Sequence, residues 1–196
     1  MADNNCRAQL ITTATPLFAE KGFYGVSVRE LAAAAGMNLS MISYYFGGKE
    51  VLYSAVLREQ FAVLDQVSEI KFKDLDPLRK FELYIWATVA RYRKNPYLLR
   101  FYTSELTNPT PSFETIVKPS IRKVLQVLHE TFVEGQNNGL FREGLDSMDS
   151  ILALAGMINF YFIIEPVTAQ LVARSPDRDE QLIQHIMDIF SKGVLK

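Results

Sequence analysis

The stretch "MNLSMISYYFGGKE", residues 37–50, runs small polar and aromatic residues into two glycines and a lysine. On a helix over 39–46, at about 100° per residue, Leu39, Ile42 and Phe46 share one side while Ser40, Met41 and Tyr44 point the other way. Ser43 and Tyr45 lie on the flanks. A surface helix with a purely structural role would carry Lys, Glu and Gln outward, so exposed hydroxyls, a thioether and phenols suggest a surface that touches another molecule. Asn38 stands where this helix needs a cap. Gly36-Met37-Asn38 joins it to the preceding short helix by a three-residue connection opening on glycine, the arrangement of a helix-turn-helix.

That preceding helix is announced by Ser27-Val28-Arg29-Glu30. Ser27 caps the chain, Glu30 reaches back in a capping box, and Val28, Leu31, Ala32 and Ala35 form the buried face. Before it, Leu10, Ile11, Ala14, Leu17 and Phe18 make a helical stripe closed by Lys21-Gly22, and Pro16 predicts a kink because it cannot bond the carbonyl of Thr12. After Gly47-Gly48 a long helix is expected over 49–69, with Leu52, Val56, Leu64 and Val67 inward, followed by a polar connection at 71–77. Further helices fit 78–93, 96–106, 113–138, 149–165 and 177–193, divided by proline and glycine signals. The result is an all-α chain of nine helices: a three-helix head and a larger helical body.

In a major groove the hydroxyls of Ser40 and Ser43 would meet base edges or phosphate, and Leu39 and Met41 would pack on thymine methyl groups. The phenols of Tyr44 and Tyr45 would reach the backbone, and Lys49, opening the next helix, would set its ammonium beside a phosphate. Bulk charge lends no help, because the net charge is -1 over 196 residues. Residues 1–60 balance Arg7, Lys21, Arg29, Lys49 and Arg58 against Asp3, Glu20, Glu30, Glu50 and Glu59, five against five. Non-specific affinity for DNA should therefore be modest, and a dimer would be needed to add contacts.

The segment "LITTATPLFAEKGFYGVSVRELAAAAGMNLSMISYYFGGKEVLY", residues 10–53, resembles the DNA-binding region of the TetR family of transcriptional regulators. The likeness lies in Leu17-Phe18, Glu20-Lys21-Gly22-Phe23, Ser27-Val28, Ala35-Gly36 and Tyr45-Phe46 followed by Lys49-Glu50. It implies that Ser27, Val28 and Arg29 contact the DNA backbone. Leu39, Ser40, Met41 and Ser43, entered through Asn38, correspond to base-reading positions, and Tyr44, Tyr45 and Lys49 to phosphate-clamping ones. Two positions depart from the pattern: Leu39 stands where the family often has a polar or basic residue, and Ser43 where it often has tyrosine.

The resemblance also implies a DNA-binding domain over 1–48 and a regulatory domain over 49–196, acting as a homodimer on palindromic double-stranded DNA. The last two long helices, here through 151–164 and 182–190, would pair across the two-fold axis. A small apolar or aromatic effector would bind in the body and release a repressor from its operator. Its expected lining is Trp86, Phe101, Tyr102, His129, Asn159, Tyr161 and Glu165, apolar surface with a few polar anchors.

Enzyme chemistry finds no footing. Two histidines, His129 and His185, and the single Cys6 make no metal-ligand cluster, no cofactor motif is present, and "FGGKE" lacks the glycine spacing and Lys-Ser/Thr of a phosphate loop. No signal peptide is evident, and 151–164, interrupted by Asn159, reads as a core helix too short to span a bilayer. A cytoplasmic protein is expected. The rival reading is a helical ligand-binding or adaptor protein without specific DNA binding, supported by the neutral head.

Overall fold

The computed structural model describes residues 2–69, 75–171 and 175–196, and the side chains of 2–4 and 65–69 fall outside that description. The side chain of the candidate core residue Val67 and most of the connection at 71–77 therefore lie outside that description. Among those described there are nine α-helices and no strand: α1 (Ala2–Gly25), α2 (Val28–Ala34), α3 (Leu39–Phe46), α4 (Lys49–Glu69), α5 (Pro77–Lys94), α6 (Pro96–Thr107), α7 (Lys118–Asn137), α8 (Ser147–Thr168) and α9 (Arg178–Val194).

Three expectations about helix continuity need correction. The break in α1 falls at Gly22, with φ 69° and ψ 171°, and Pro16 keeps helical dihedrals. Proline removes one hydrogen bond without forbidding helical φ, whereas a left-handed residue ends the ladder outright. α8 likewise continues through Pro166 to Thr168. Pro166 is exposed, so water can serve the carbonyl it leaves without a donor. The helix expected over 113–138 instead begins as a π-helical turn, Phe113–Val117, that runs directly into α7. Pro119 has no N–H for the carbonyl of Thr115, and the Lys118 N–H bonds to Phe113 one residue further back than in an α-helix.

The chain divides into two compact units, residues 1–65 with 96–121, and residues 66–95 with 122–196. The packing does not divide at residue 48: it groups α1, α2 and α3 with the first part of α4 and with α6. In the first unit Leu10, Ala14, Phe18, Leu31, Ile42 and Phe46 are buried, as are Leu52, Val56, Leu57 and Phe61 of α4. Tyr53 lies at the centre, its ring 4.9 Å from Phe18, 5.0 Å from Phe23 and 6.1 Å from Phe101 of α6. Its hydroxyl donates to Oε1 of Glu105 at 2.7 Å. Glu105 is fully buried, and its remaining acceptor capacity is met by the Thr110 hydroxyl at 3.0 and 3.1 Å and the Thr110 N–H at 3.3 Å. Burial first, then the bond to Glu105 and its charge, push the Tyr53 phenol upward, so it remains a donor. Beside this knot the hydroxyls of Ser54 and Ser112 meet at 2.7 Å, tying α4 to the π-helical turn.

In the second unit α5, α8 and α9 pack together around Phe81, Phe132, Phe141 and Phe190. Phe81 sits 4.9 Å from Phe190, and Phe132 5.1 Å from Phe141. Gly135 admits the Phe141 ring against the α7 backbone, where a Cβ would come within 2.3 Å of it. Arg93 at the end of α5 bonds Asp179 of α9 and Glu165 of α8, which hold its guanidinium well above its ordinary range.

α8 is longer than the apolar block that announced it. By length and composition alone it could cross a bilayer. Only its Ile151, Leu154 and Ile158 face is buried, and its polar residues are tied to α5: Asn159 accepts a bond from Tyr92 at 2.8 Å, and Glu165 pairs with Arg93.

Replacing Tyr53 by Phe keeps the ring cluster but leaves Glu105 one donor short, an expected loss of about 1–3 kcal/mol of stability. Urea unfolding should show a lower midpoint at an unchanged m-value.

Candidate nucleic-acid interface

The head is built by local rules. Ser27 caps α2 with an extended backbone, its Oγ accepting from the Glu30 N–H at 3.2 Å. The second half of the capping box is present as well: the Glu30 carboxylate is held by the Ser27 backbone N–H, and it is also bonded to Lys21. That bond and the accompanying charge attraction raise Lys21, and the bond lowers Glu30. α2 ends in a left-handed Gly36, with Met37 N–H returning to the Ala32 carbonyl at 3.0 Å and Gly36 N–H to Ala33 at 3.1 Å. This is the helix-ending pattern that glycine permits. Asn38 stands at the N-cap of α3 with extended backbone, but its side chain makes no capping bond. The expected Asn38 cap is therefore positional only, and its exposed amide is left toward solvent.

α3 presents a sharper face than its pattern implied. Ile42 and Phe46 are buried, but Leu39 is 50% exposed, so its expected place in the core is corrected. It sits in the first turn, where α3 has only just left the connection from α2. Leu39, Ser40, Ser43 and Tyr44 are all exposed and form one stripe at i, i+1, i+4 and i+5. Met41 and Tyr45 are half-buried beside it, and the Tyr45 ring meets that of Tyr44 edge-on at 5.0 Å. Ser27 and Arg29 are exposed at the start of α2, and Val28 is half-buried.

The cations of the head are mostly engaged within it. Arg7 lies over the Phe46 ring at 4.9 Å, Lys21 pairs with Glu30, and the Lys49 ammonium donates to the carbonyls of Phe23 and Val26, each at 2.9 Å. Arg29 is exposed and, among the described residues, has no hydrogen-bond or ion-pair partner. None of the three inward arrangements follows from a spacing rule, because each joins residues nine or more positions apart. The same holds for Tyr53 and Glu105, to which no sequence signal points. A buried carboxylate so far along the chain from its phenol leaves no periodic trace.

The family model for the N-terminal region of bacterial regulatory proteins of the tetR family matches residues 10–56, and the model for the tetracyclin repressor-like C-terminal domain matches residues 77–190. The chain belongs to the TetR family. It is 27% identical over 163 residues to the HTH-type transcriptional repressor NicS of Pseudomonas putida, covering 79% of this chain and 74% of that one. It is 29% identical over 131 residues to the probable HTH-type transcriptional regulator YttP of Bacillus subtilis, covering 65% and 63%. In fold it is similar to the ketosteroid transcriptional regulator KstR2 of Mycobacterium tuberculosis, with a TM-score of 0.78, 20% identity and coverage of 97% and 95%. TetR-family proteins are transcriptional regulators rather than enzymes; they bind DNA through the helix-turn-helix, and dimers and small-molecule ligands are typical of them.

As a TetR-family body, the second unit scatters the expected effector residues. Tyr161 and Glu165 line, with Arg93, Pro176, Arg178 and Asp179, a cleft of about 580 Å³. There Arg178 Nε donates to the Tyr161 hydroxyl at 3.2 Å. Trp86, 43% exposed, lines a different groove with Glu82, Ile183 and Met187. Asn159 is bonded to Tyr92, and the exposed His129 meets the Ser147 hydroxyl at 2.7 Å, tying α7 to α8. In the first unit Phe101 is fully buried in the Tyr53 cluster, and Tyr102 is half-buried.

Gly47 closes α3 with φ 74° and places α4, and a methyl group at its Cα would meet no atom within 4 Å. Gly47→Ala should thus cost only the left-handed backbone, about 1–2 kcal/mol, read as a lower denaturation midpoint with the fold retained by circular dichroism.

Proposed function

We propose that this regulator is a ligand-responsive repressor whose head, residues 1–48, binds a palindromic operator, and whose body, residues 49–196, carries the effector site and the dimer interface. The observation that carries the reading is the exposed stripe Leu39, Ser40, Ser43 and Tyr44 on the second helix of a helix-turn-helix. In this reading Leu39, Ser40, Met41 and Ser43 meet base edges. Ser27, Val28, Arg29, Asn38, Tyr44 and Tyr45 meet the sugar-phosphate backbone. Hydroxyls and a leucine read by short hydrogen bonds and by apolar contact with thymine methyls rather than by the bidentate fork of arginine. Each protomer then brings few cations to the phosphates, and a dimer spanning half-sites about 34–36 Å apart supplies the rest of the affinity.

The dimer reading is supported by α8 and α9. Leu152, Phe160, Ile163 and Val167 of α8 and Ile189 of α9 are each 47% exposed or more, an apolar surface of the kind that marks an interface. The expected α9 stripe of Leu182, Ile183, Ile186, Ile189 and Phe190 is thereby divided: four are buried, and Ile189 faces outward. Pairing of the two helices with their two-fold mates would make a four-helix bundle. The effector is proposed as a small apolar or aromatic molecule, on the strength of the aromatic side chains of the body. Its binding would alter the separation of the two reading helices and lower operator affinity. The protein is proposed to work in the cytoplasm.

The direct test is binding to labelled DNA from just upstream of its own gene, in excess unrelated DNA. Site-specific binding that falls about tenfold or more in Tyr44→Ala, roughly 1.4 kcal/mol, is expected. Equal affinity for unrelated DNA across that region would favour the adaptor reading. For the dimer, Phe160→Glu should shift sedimentation from dimer toward monomer at micromolar concentration. An unchanged dimer would move the interface elsewhere.

A further inference from the structure

Lys49 opens α4 directly after the two glycines, and resemblance to the family assigns it to phosphate. Its ammonium is turned the other way. It donates to the carbonyls of Phe23 and Val26, both at 2.9 Å, and lies 4.3 Å from the centroid of the Phe23 ring. Phe23 lies in the last turn of α1, and Val26 in the link between α1 and α2. α1 is broken at Gly22 and ends at Gly25, and the last carbonyls of a helix, that of Phe23 among them, have no intrahelical donor. A lysine delivered from elsewhere in the chain satisfies them and places a positive charge at the negative end of the helix. The next residue after Val26 is Ser27, the cap of α2, and α2 holds α3 through the Gly36 turn. To reach a phosphate, the ammonium would have to abandon both carbonyls and the ring face.

We propose that Lys49 is a positioning residue: it fixes the start of α2, and through it the reading helix, against the first turn of α4, and leaves neutralisation of phosphate to Arg29. This rests on the head being the DNA-reading surface. The positional role itself does not require an operator. The arrangement explains how a head with equal numbers of basic and acidic residues can hold its shape: Arg7 on Phe46, Lys21 on Glu30 and Lys49 on the α1–α2 link each fasten two elements. In the free state, a phosphate clamp would be expected to leave its ammonium in solvent. Lys49 is half-buried, whereas Arg29 is exposed.

Two measurements on Lys49→Met decide it. The first is amide hydrogen exchange on the full-length protein without DNA. Exchange should quicken in α2 and α3 by about tenfold or more, while α8 and α9 keep their rates. Lys49→Arg, which retains a cation and two donors, should restore most of the protection. The second is the salt dependence of binding to the operator or, if none is found, to any duplex at low salt. Affinity should fall in Lys49→Met with the slope of log K against log salt unchanged, whereas Arg29→Met should flatten the slope by about 0.9 per protomer. A flattened slope in Lys49→Met with exchange in α2 and α3 unaltered would make Lys49 a phosphate ligand and overturn the proposal. Faster exchange spread evenly from α1 to α9 would also overturn it, by showing a general stabiliser. Because exchange is read without DNA, failure of the operator reading and failure of this one are separate results.

Discussion

Tyr53 is the point on which the first unit turns. Its ring fills the space between Phe18, Phe23 and Phe101, and its hydroxyl completes the shell of a carboxylate that has no exposure to water. A buried carboxylate without donors costs several kcal/mol, so α4, α6 and the chain around Thr110 must keep their places together or lose the whole arrangement. This makes α6 part of the same packed body as the reading head, although more than fifty residues of sequence separate Tyr53 from Glu105. Contacts therefore draw the boundary of the first unit well beyond residue 48.

How much of this is legible in the sequence follows from the range of each interaction. Helix type and order are readable, because periodicity, caps and glycine stops act over a few residues; the start of α4 at Lys49 agrees with expectation. The stop at Gly22 and the turn at Gly36 follow from glycine's access to positive φ. Expectation and structure part where local rules compete. Pro16 and Pro166 carry the signal of an interruption, yet each removes only one bond and the helix runs on. Glu30 keeps the Ser27 backbone contact that its capping-box spacing predicts, and Lys21 adds a charged partner that no local rule announces. Leu39 falls on the inner side of a helical wheel, which takes no account of how deeply the first turn is buried.

The outward residues of α3 are readable in the sequence, and the electrostatics of the head are not. Composition gives five cations in the first sixty residues and treats them alike. The fold separates them by the acceptors it places nearby, a ring face, a carboxylate and two backbone carbonyls, and it leaves Arg29 among those facing solvent. Formal charge thus overstates what the head can offer a polyanion. The residues of the outward stripe of α3 are uncharged, and specificity drawn from them depends on close fit rather than on attraction at a distance.

The same reasoning explains why one helix of the body is apolar round most of its circumference. A helix that served only its own unit would carry a single apolar face, as α9 nearly does. α8 buries Ile151, Leu154 and Ile158 on one side and exposes Leu152, Phe160, Ile163 and Val167 on others, while Asn159 and Glu165 fix its rotation through Tyr92 and Arg93. Those two polar ties on α5 set which apolar residues remain outside. A substitution at Arg93 would accordingly act on the exposed face indirectly, by freeing α8 to turn, and the orientation of that face is a property of the α5 contacts as much as of the α8 sequence.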